Sequence, residues 1–357
     1  MKRFILSLSL LISSLSFVGA QTAVSSYTPG VTSEGAVYFL PKTGVRITVY
    51  VQKTTYKPGD LCKYADKFLR IKNVSPDASV SYQIINMQQE AFAVADTSKR
   101  FAVKFDAKTS ATNVRLSEDG ILMAINTDYN PGGLKPLPTF QAPKPATNPR
   151  KYLSEEILTA GSTAKMAELT ALEIYEIRES RNLLTRGQAE FMPQDGEQLR
   201  LMLNKLEEQD LALTSLFTGT TVCDTTAFSF TVIPDKDIKQ EILFRFSQKL
   251  GIVDADDLSG SPYYINIMDL NSVPLAEPLD PKKKQKQVNG IYINVPGKLR
   301  STISNMQGRV LSNEYPAGQF GNVELLSGAL FNKRYTTRLV LHPISGAVEH
   351  LDAEQPK

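Results

Sequence analysis

The sequence predicts an α+β protein, two β-rich modules with a long antiparallel helical hairpin between them. Short β-rich runs with period-two alternation and Pro-Gly turn signals occupy both ends of the chain. Between them, over residues 152–218, apolar side chains recur at steps of three and four. A Pro-rich stretch separates the first β-rich region from the helical pattern. The organisation that follows is a leader at 1–20, an N-terminal mixed α/β module at 21–130, a Pro-rich linker or strap at 131–151, the helical hairpin at 152–218, and a C-terminal antiparallel β module at 219–357.

The leader reads as a secretory signal peptide. Lys2 and Arg3 precede an apolar run from Phe4 to Phe17, and the small residues Val18-Gly19-Ala20 meet Gln21 at an expected cleavage point. The run is too short for an ordinary membrane span, and no later stretch supplies the roughly 20 apolar residues that one needs. Gln21 stands where a lipid anchor would need Cys. The expected address is therefore export, to the periplasm or the cell surface. Cleavage removes Lys2 and Arg3 and leaves 38 basic against 37 acidic side chains. Nucleic-acid binding, which leans on concentrated positive charge, is not indicated.

In the N-terminal module, Ala36–Leu40 and Val45–Gln52 flank Pro41-Lys42-Thr43-Gly44, a hairpin expectation. Tyr-x-Pro-Gly occurs at Tyr27–Gly30, Tyr56–Gly59 and Tyr129–Gly132, where Pro and Gly suit the centre of a type II turn. Asp60 is the expected cap of a short helix through Leu69. Strands are expected at Ser81–Met87, Phe101–Phe105 and Ile121–Asn126.

For the helices, Ser154 is the expected N-cap, with Glu155 and Glu156 in the first turn where the dipole favours them. Ala160, Ala164, Ala167, Ala171 and Ile174 form one stripe. Gly187 ends that helix, and Asp195 with Gln198 fits a capping-box start for the next, whose stripe runs through Leu199, Met202, Leu206, Leu213 and Leu216. The two stripes are expected mainly to pack on each other within the chain, and the outward charges Arg178, Arg181, Arg186 and Glu190 give a docking surface as the lesser alternative. Beyond residue 219, Phe228–Val232 and Ile242–Phe246 alternate as expected hairpin neighbours, and further strands follow the basic run Lys282–Lys286. Their turn spacing describes an antiparallel sandwich or barrel.

The segments "YTPGVTSEGAVYFLPKTGVRI", "RESRNLLTRGQAEFMPQDGEQL" and "ALTSLFTGTT" resemble the family called domain of unknown function 4831, and the likeness spans nearly the whole chain after the leader. The resemblance implies an exported protein of about this length from gut anaerobes with a Gram-negative envelope. It implies no activity, ligand or catalytic residue.

Candidates for chemistry are few, since the chain has 2 His, 2 Cys and no Trp. His342 and His350 lack a partner at zinc spacing. No Gly-x-Ser-x-Gly or phosphate-binding Gly loop occurs. Cys62 and Cys223 admit two readings, a disulfide formed in an oxidising envelope or two free thiols. Asp254, Asp256 and Asp257 in "DADDLSG" are the candidate Ca²⁺ ligands, although the EF-hand pattern fails at Leu258, Ser259 and Ile265. "DTT" at Asp224–Thr226 has the form of an O-glycosylation acceptor. No catalytic residue is assigned and no cofactor is expected apart from the Ca²⁺ alternative. The leading expectation is a non-catalytic envelope protein that binds or scaffolds a partner, either an envelope protein or a glycan. The rivals are a hydrolase acting on glycans or peptides through a carboxylate pair or an atypical Ser/Lys site, and a calcium-stabilised adhesion module.

Overall fold

The computed structural model describes residues 23–26, 36–104, 113–129, 147–193, 195–274, 290–331 and 336–354. The expected leader, the Tyr27–Gly30 turn, most of the Pro-rich linker and the Lys282–Lys286 run lie outside them. The strands are β1 (Ala23–Ser26), β2 (Ala36–Lys57), β3 (Ser79–Lys104), β4 (Val114–Leu116), β5 (Leu122–Ile125), β6 (Thr220–Val232), β7 (Ile238–Ser247), β8 (Gly251–Val253), β9 (Ser261–Asp269), β10 (Gly290–Asn305), β11 (Gly308–Ser327), β12 (Thr336–Leu341) and β13 (Val348–Glu354). The α-helices are α1 (Ala65–Leu69), α2 (Glu155–Leu158), α3 (Thr163–Arg186) and α4 (Gly196–Thr218).

The expected plan of two β-rich modules with a long helical hairpin between them is overturned. The protein is β-rich, 51% strand and 25% helix, in three antiparallel sheets. Their strand orders are β1-β3-β2-β6, β11-β10-β9-β7-β8 and β13-β12-β5-β4. Strands from before and after the helices share the first sheet (β2 with β6) and the third (β5 with β12), so the helices do not divide the chain into modules. Strand pairing between distant segments, which no local pattern records, decides the architecture.

Two further expectations fail for the same reason. Pro41–Gly44 is no turn: β2, 22 residues long, continues through it. The irregularity lies on the partner strand. Phe39 pairs with Arg100 and Pro41 with Ala95, which leaves Asp96–Lys99 bulged out of the ladder. Pro41, which has no N–H to give, sits where the ladder is broken. Likewise β6 and β7 are not hairpin neighbours. They lie in different sheets and meet face to face, with the Phe230 and Phe244 rings stacked at 5.1 Å.

The β10–β11 hairpin repeats the design of β2–β3. Val295 pairs with Asn322 and Gly297 with Ala317, so Gly318–Gly321 bulge out opposite Pro296. "YFLPKTGVR" (Tyr38–Arg46) and "YINVPGKLR" (Tyr292–Arg300) occupy corresponding places. Each closing arginine makes a cross-strand ion pair, Arg46 with Glu90 at 3.0 Å and Arg300 with Glu314 at 2.7 Å.

Because these four strands are long and bent at one level, they feed two cores. On one side of the bend Tyr38, Leu40, Ile291 and Ile293 pack with Leu122, Ile125, Leu339 and Leu341 of the third sheet. On the other side Val45, Ile47 and Val49 pack with Phe244, Ile265, Ile267 and Leu299 across a sandwich of the first two sheets. Each such fully buried side chain contributes about 1.5–3 kcal/mol. The level of the bend itself is polar. The Asn294 side-chain amide, 1% exposed, donates to the Pro41 and Ser345 carbonyls at 2.9 Å each. Gln319 bridges both backbone groups of Thr43 at 2.8 Å, and Lys99 donates to the Gly318 carbonyl at 3.1 Å. Bulging frees backbone groups from the ladder, and these side chains take them up.

A third core lies beyond the far end of β2. Leu61, Ala65 and Leu69 pack with Ala167, Ala171 and Ile174 of α3 and with Leu213, Leu216 and Phe217 of α4. Asp60 does not cap the first turn: Leu61 occupies that position with no side-chain cap. The expected long first helix is broken after Leu158, and Ser162 recaps the chain by accepting from the Lys165 N–H. Gly187 closes α3 at φ 68° and Asp195 caps α4 through the Glu197 N–H. Arg178 does not face outward. It donates to both carboxylate oxygens of the buried Asp210 on α4 at 2.9–3.1 Å.

Burial also sets a pH dependence. The Tyr38 hydroxyl donates to the Tyr292 carbonyl and accepts from the Tyr292 N–H, and burial pushes its pKa well above the ordinary range. In the unfolded chain the phenol ionises near the ordinary tyrosine value of about 10. Above that pH the unfolded state has released a proton that the native state still holds, so stability falls as pH rises. We expect the urea midpoint to fall above about pH 10. Phenolate absorbance should show one tyrosine ionising only as the protein unfolds, and Tyr38→Phe should flatten the alkaline slope; an unchanged slope would refute this.

Candidate functional site

A groove of about 680 Å³ opens where the edge of the sandwich meets two strand tips. Its volume lies within the range of small-molecule sites. One wall is β3, with Gln83 and Ile84; the opposite wall is the turn from β7 into β8, with Gln248 and Lys249. The start of β9 supplies Ser261 and Tyr263, and the β10–β11 tip supplies Met306 and Gln307.

The sequence builds each wall locally. Gly251, at φ 83°, turns β7 into β8, and a Cβ there would come within 3.1 Å of the Tyr82 ring. The Tyr82 N–H donates to the Gln248 carbonyl at 2.8 Å and ties the two walls together. At the tip, Asn305 Oδ1 accepts from the N–H groups of Gln307 (2.9 Å) and Gly308 (3.1 Å), so Asn305 holds the turn and leaves Met306 79% exposed. Below the groove, Tyr263 stacks on Phe244 with ring centroids 4.7 Å apart. Among the described residues the side-chain amides of Gln83 and Gln248, the hydroxyls of Ser261 and Tyr263, and the Lys249 ammonium make no hydrogen bond to protein. Asp, Glu, His and Cys are missing from the described lining.

The residues singled out from the sequence lie elsewhere. Asp254, Asp256 and Asp257 sit on the loop before β9, and among the described residues no group of three or more His, Cys, Asp and Glu side chains is placed to hold a metal. A cation already occupies the loop's oxygens: Arg245 donates to the Ala255 carbonyl at 2.7 Å and to the Gly260 carbonyl at 3.1 Å. Asp257 accepts from the Ser259 N–H at 2.9 Å, and that bond holds its carboxyl below the usual carboxylate range.

Cys62 and Cys223 are both free thiols in the structure, in keeping with the second of the two readings. Cys223 lies opposite Thr54, three residues before the end of β2, whereas Cys62 lies five residues past that end.

His350 is exposed on β13. His342 does touch a hydroxyl, since its Nδ1 lies 3.1 Å from Ser345 Oγ, but the same nitrogen accepts from the Ser345 N–H at 3.3 Å. Ser345 is only 2% exposed and closes the tight turn between β12 and β13. That pair is a turn fastening. Asp224–Thr226 lie on β6, which pairs on one side with β2.

Sequence reasoning missed the groove residues because none has a local signature. Gln83, Gln248 and Gln307 are separated by more than fifty residues each and converge only through sheet pairing.

Fold and groove together define a multi-sheet β protein with a surface groove lined by mostly uncharged side chains. The family model described as a domain of unknown function, DUF4831, matches residues 34–349, and the chain belongs to that family. Neither a curated protein nor a solved structure matches it. No helix among the described residues is long and apolar enough to cross a membrane.

Proposed function

We propose that this is an exported cell-envelope protein that works by recognition, holding a partner in the groove without making or breaking bonds. The observation that supports this is the character of the lining. Amide and hydroxyl groups with unspent hydrogen-bonding capacity converge there, and the titratable side chains present are Lys249 and Tyr263. Such a set can read a ligand's donors and acceptors, whereas acid–base chemistry draws on groups that exchange protons near neutral pH. The leader supports export.

Two measurements test the reading. When the full chain is produced in a Gram-negative host, we expect the protein in the osmotic-shock or outer-envelope fraction with Gln21 as its first residue. Full-length protein held in the cytoplasm would overturn export. The purified chain is expected to release neither reducing ends from polysaccharides nor amines from casein. Turnover lost on substitution of Tyr263 or Lys249 would overturn the non-catalytic assignment.

A further inference from the structure

We infer that the groove takes an uncharged polyhydroxylated ligand, an oligosaccharide laid between the β3 wall and the β7–β8 turn. This rests on the recognition reading above and assigns it a ligand class. Three features of the groove carry it.

The first is the balance of donors and acceptors. A sugar presents adjacent hydroxyls, each of which both donates and accepts. A carboxamide side chain offers one acceptor and two donors from one small planar group. Gln83 and Gln248 stand on facing walls with their amides free, and Ser261 and Tyr263 add hydroxyls between them. Gln307 adds a further amide at the open end. Its Oε1 is only weakly engaged, 3.4 Å from Asn305 Nδ2.

The second is the apolar surface. Phe246 and Tyr263, both half-buried, line the same groove, and Tyr263 is held in place by its stack on Phe244. A half-buried ring with a fixed plane is a surface for the C–H face of a pyranose. The chain has no Trp, so Tyr and Phe must do this work.

The third is that the nearby charges, and one main-chain pair that ties the two walls, are already engaged. An extended peptide would bind by adding a strand, which needs unpaired main-chain groups. Here the Tyr82 N–H and the Gln248 carbonyl are spent on each other at 2.8 Å. The Arg245 guanidinium and the Asp257 carboxylate beside the groove are held by the loop before β9. Lys249 is the one charged side chain in the described lining, and it sits exposed on the rim. A strongly charged ligand finds no complement there, whereas a neutral sugar does; an added strand is the alternative that the peptide titration below separates.

The test is affinity gel electrophoresis of the intact mature chain in gels containing soluble starch, mixed-linkage β-glucan, xylan, galactomannan or yeast mannan. It is followed by calorimetric titration with the matching oligosaccharide. We expect at least one polysaccharide to retard the protein. The triple variant Gln83→Ala/Gln248→Ala/Gln307→Ala should bind at least about tenfold more weakly, and Tyr263→Phe about threefold more weakly. Glu197→Ala, exposed on α4 and outside the groove lining, should stay within about twofold of the parent. Gln83, Gln248 and Gln307 are exposed and Tyr263→Phe keeps the ring, so thermal unfolding should be unchanged and loss of binding is read as loss of contact. Retardation that survives in the triple variant would overturn the site. A parallel titration with a pool of extended decapeptides separates the two readings. Peptide binding without sugar binding refutes the ligand class and leaves recognition standing. Binding of neither refutes both.

Discussion

Gly318→Ala is expected to destabilise the protein by about 3 kcal/mol, at the high end for adding a single methyl group to a packed site. A Cβ at residue 318 would lie 2.4 Å from Asn294 Nδ2 and 2.5 Å from the Pro41 carbonyl oxygen. Those two atoms are themselves hydrogen-bonded at 2.9 Å, so neither can retreat without breaking the bond that joins β2 to β10. Pushing them apart leaves the buried Pro41 carbonyl unpartnered, which adds about 1–3 kcal/mol on its own. Lys99 also holds the Gly318 carbonyl, so the bulge cannot simply slide. The measurement is the urea midpoint at constant slope. Gly161→Ala is the control, because nothing lies within 4 Å of its Cβ position, and it should stay within about 0.5 kcal/mol of the parent. Equal effects at the two glycines would mean that the bend between the cores is loosely held.

That prediction depends on a feature the sequence displays only in retrospect. Tyr38–Arg46 and Tyr292–Arg300 have the same length and the same ends, with prolines one position out of step near the middle, yet the two identities dissolve among unrelated residues. Only the matching four-residue bulges reveal the correspondence. The Tyr-x-Pro-Gly tetrapeptide is more conspicuous, and Tyr56–Gly59 is the copy that lies wholly within the described residues. At Tyr56–Gly59 it brings the end of β2 under α4: Gly59 lies where a Cβ would meet the Leu216 oxygen at 2.1 Å, and the Leu61 N–H donates to that oxygen at 2.8 Å.

Local signals proved legible where local physics sets the outcome. Ser154, Gly187 and Asp195 cap helices because a hydroxyl, a left-handed glycine and a carboxylate satisfy end groups in their own turn. Alternation at Phe228–Val232 and Ile242–Phe246 marks strands for the same reason. What alternation does not encode is the partner. Whether Phe230 stacks on Phe244 across a hairpin or across a sandwich depends on which distant strand claims each edge, β2 for β6 and β9 for β7. The candidate site shares that limit. Acidic runs and cysteines catch the eye in a sequence, whereas glutamines on one strand and two separate turns do not.

Asp210→Ala is the second large effect. Asp210 lies near the end of α4, buried, and accepts from Arg178 Nε at 3.1 Å, from an Arg178 terminal nitrogen at 2.9 Å and from Thr214 Oγ1 at 3.0 Å. Arg178 also donates to Thr214 at 3.2 Å, which closes a three-membered network between α3 and α4. Removing one partner of a buried pair costs about 3–5 kcal/mol because the other charge stays desolvated. Here the Arg178 side chain keeps 33% exposure and can turn partly to water, so we expect about 3 kcal/mol by urea denaturation. The exposed Glu197–Arg200 pair on the same helix, at 68% and 70% exposure, provides the contrast. Its removal should cost no more than about 1 kcal/mol despite a shorter contact of 2.6 Å. Replacing both charges, as Arg178→Met with Asp210→Leu, should recover most of the loss, since an apolar pair of similar volume satisfies the same space. If the double variant is no better than Asp210→Ala alone, the network carries alignment of α3 against α4 that packing cannot replace. If Asp210→Ala matches Glu197→Ala, the apolar contacts of Ala171, Ile174 and Leu213 hold the helical layer without electrostatic help.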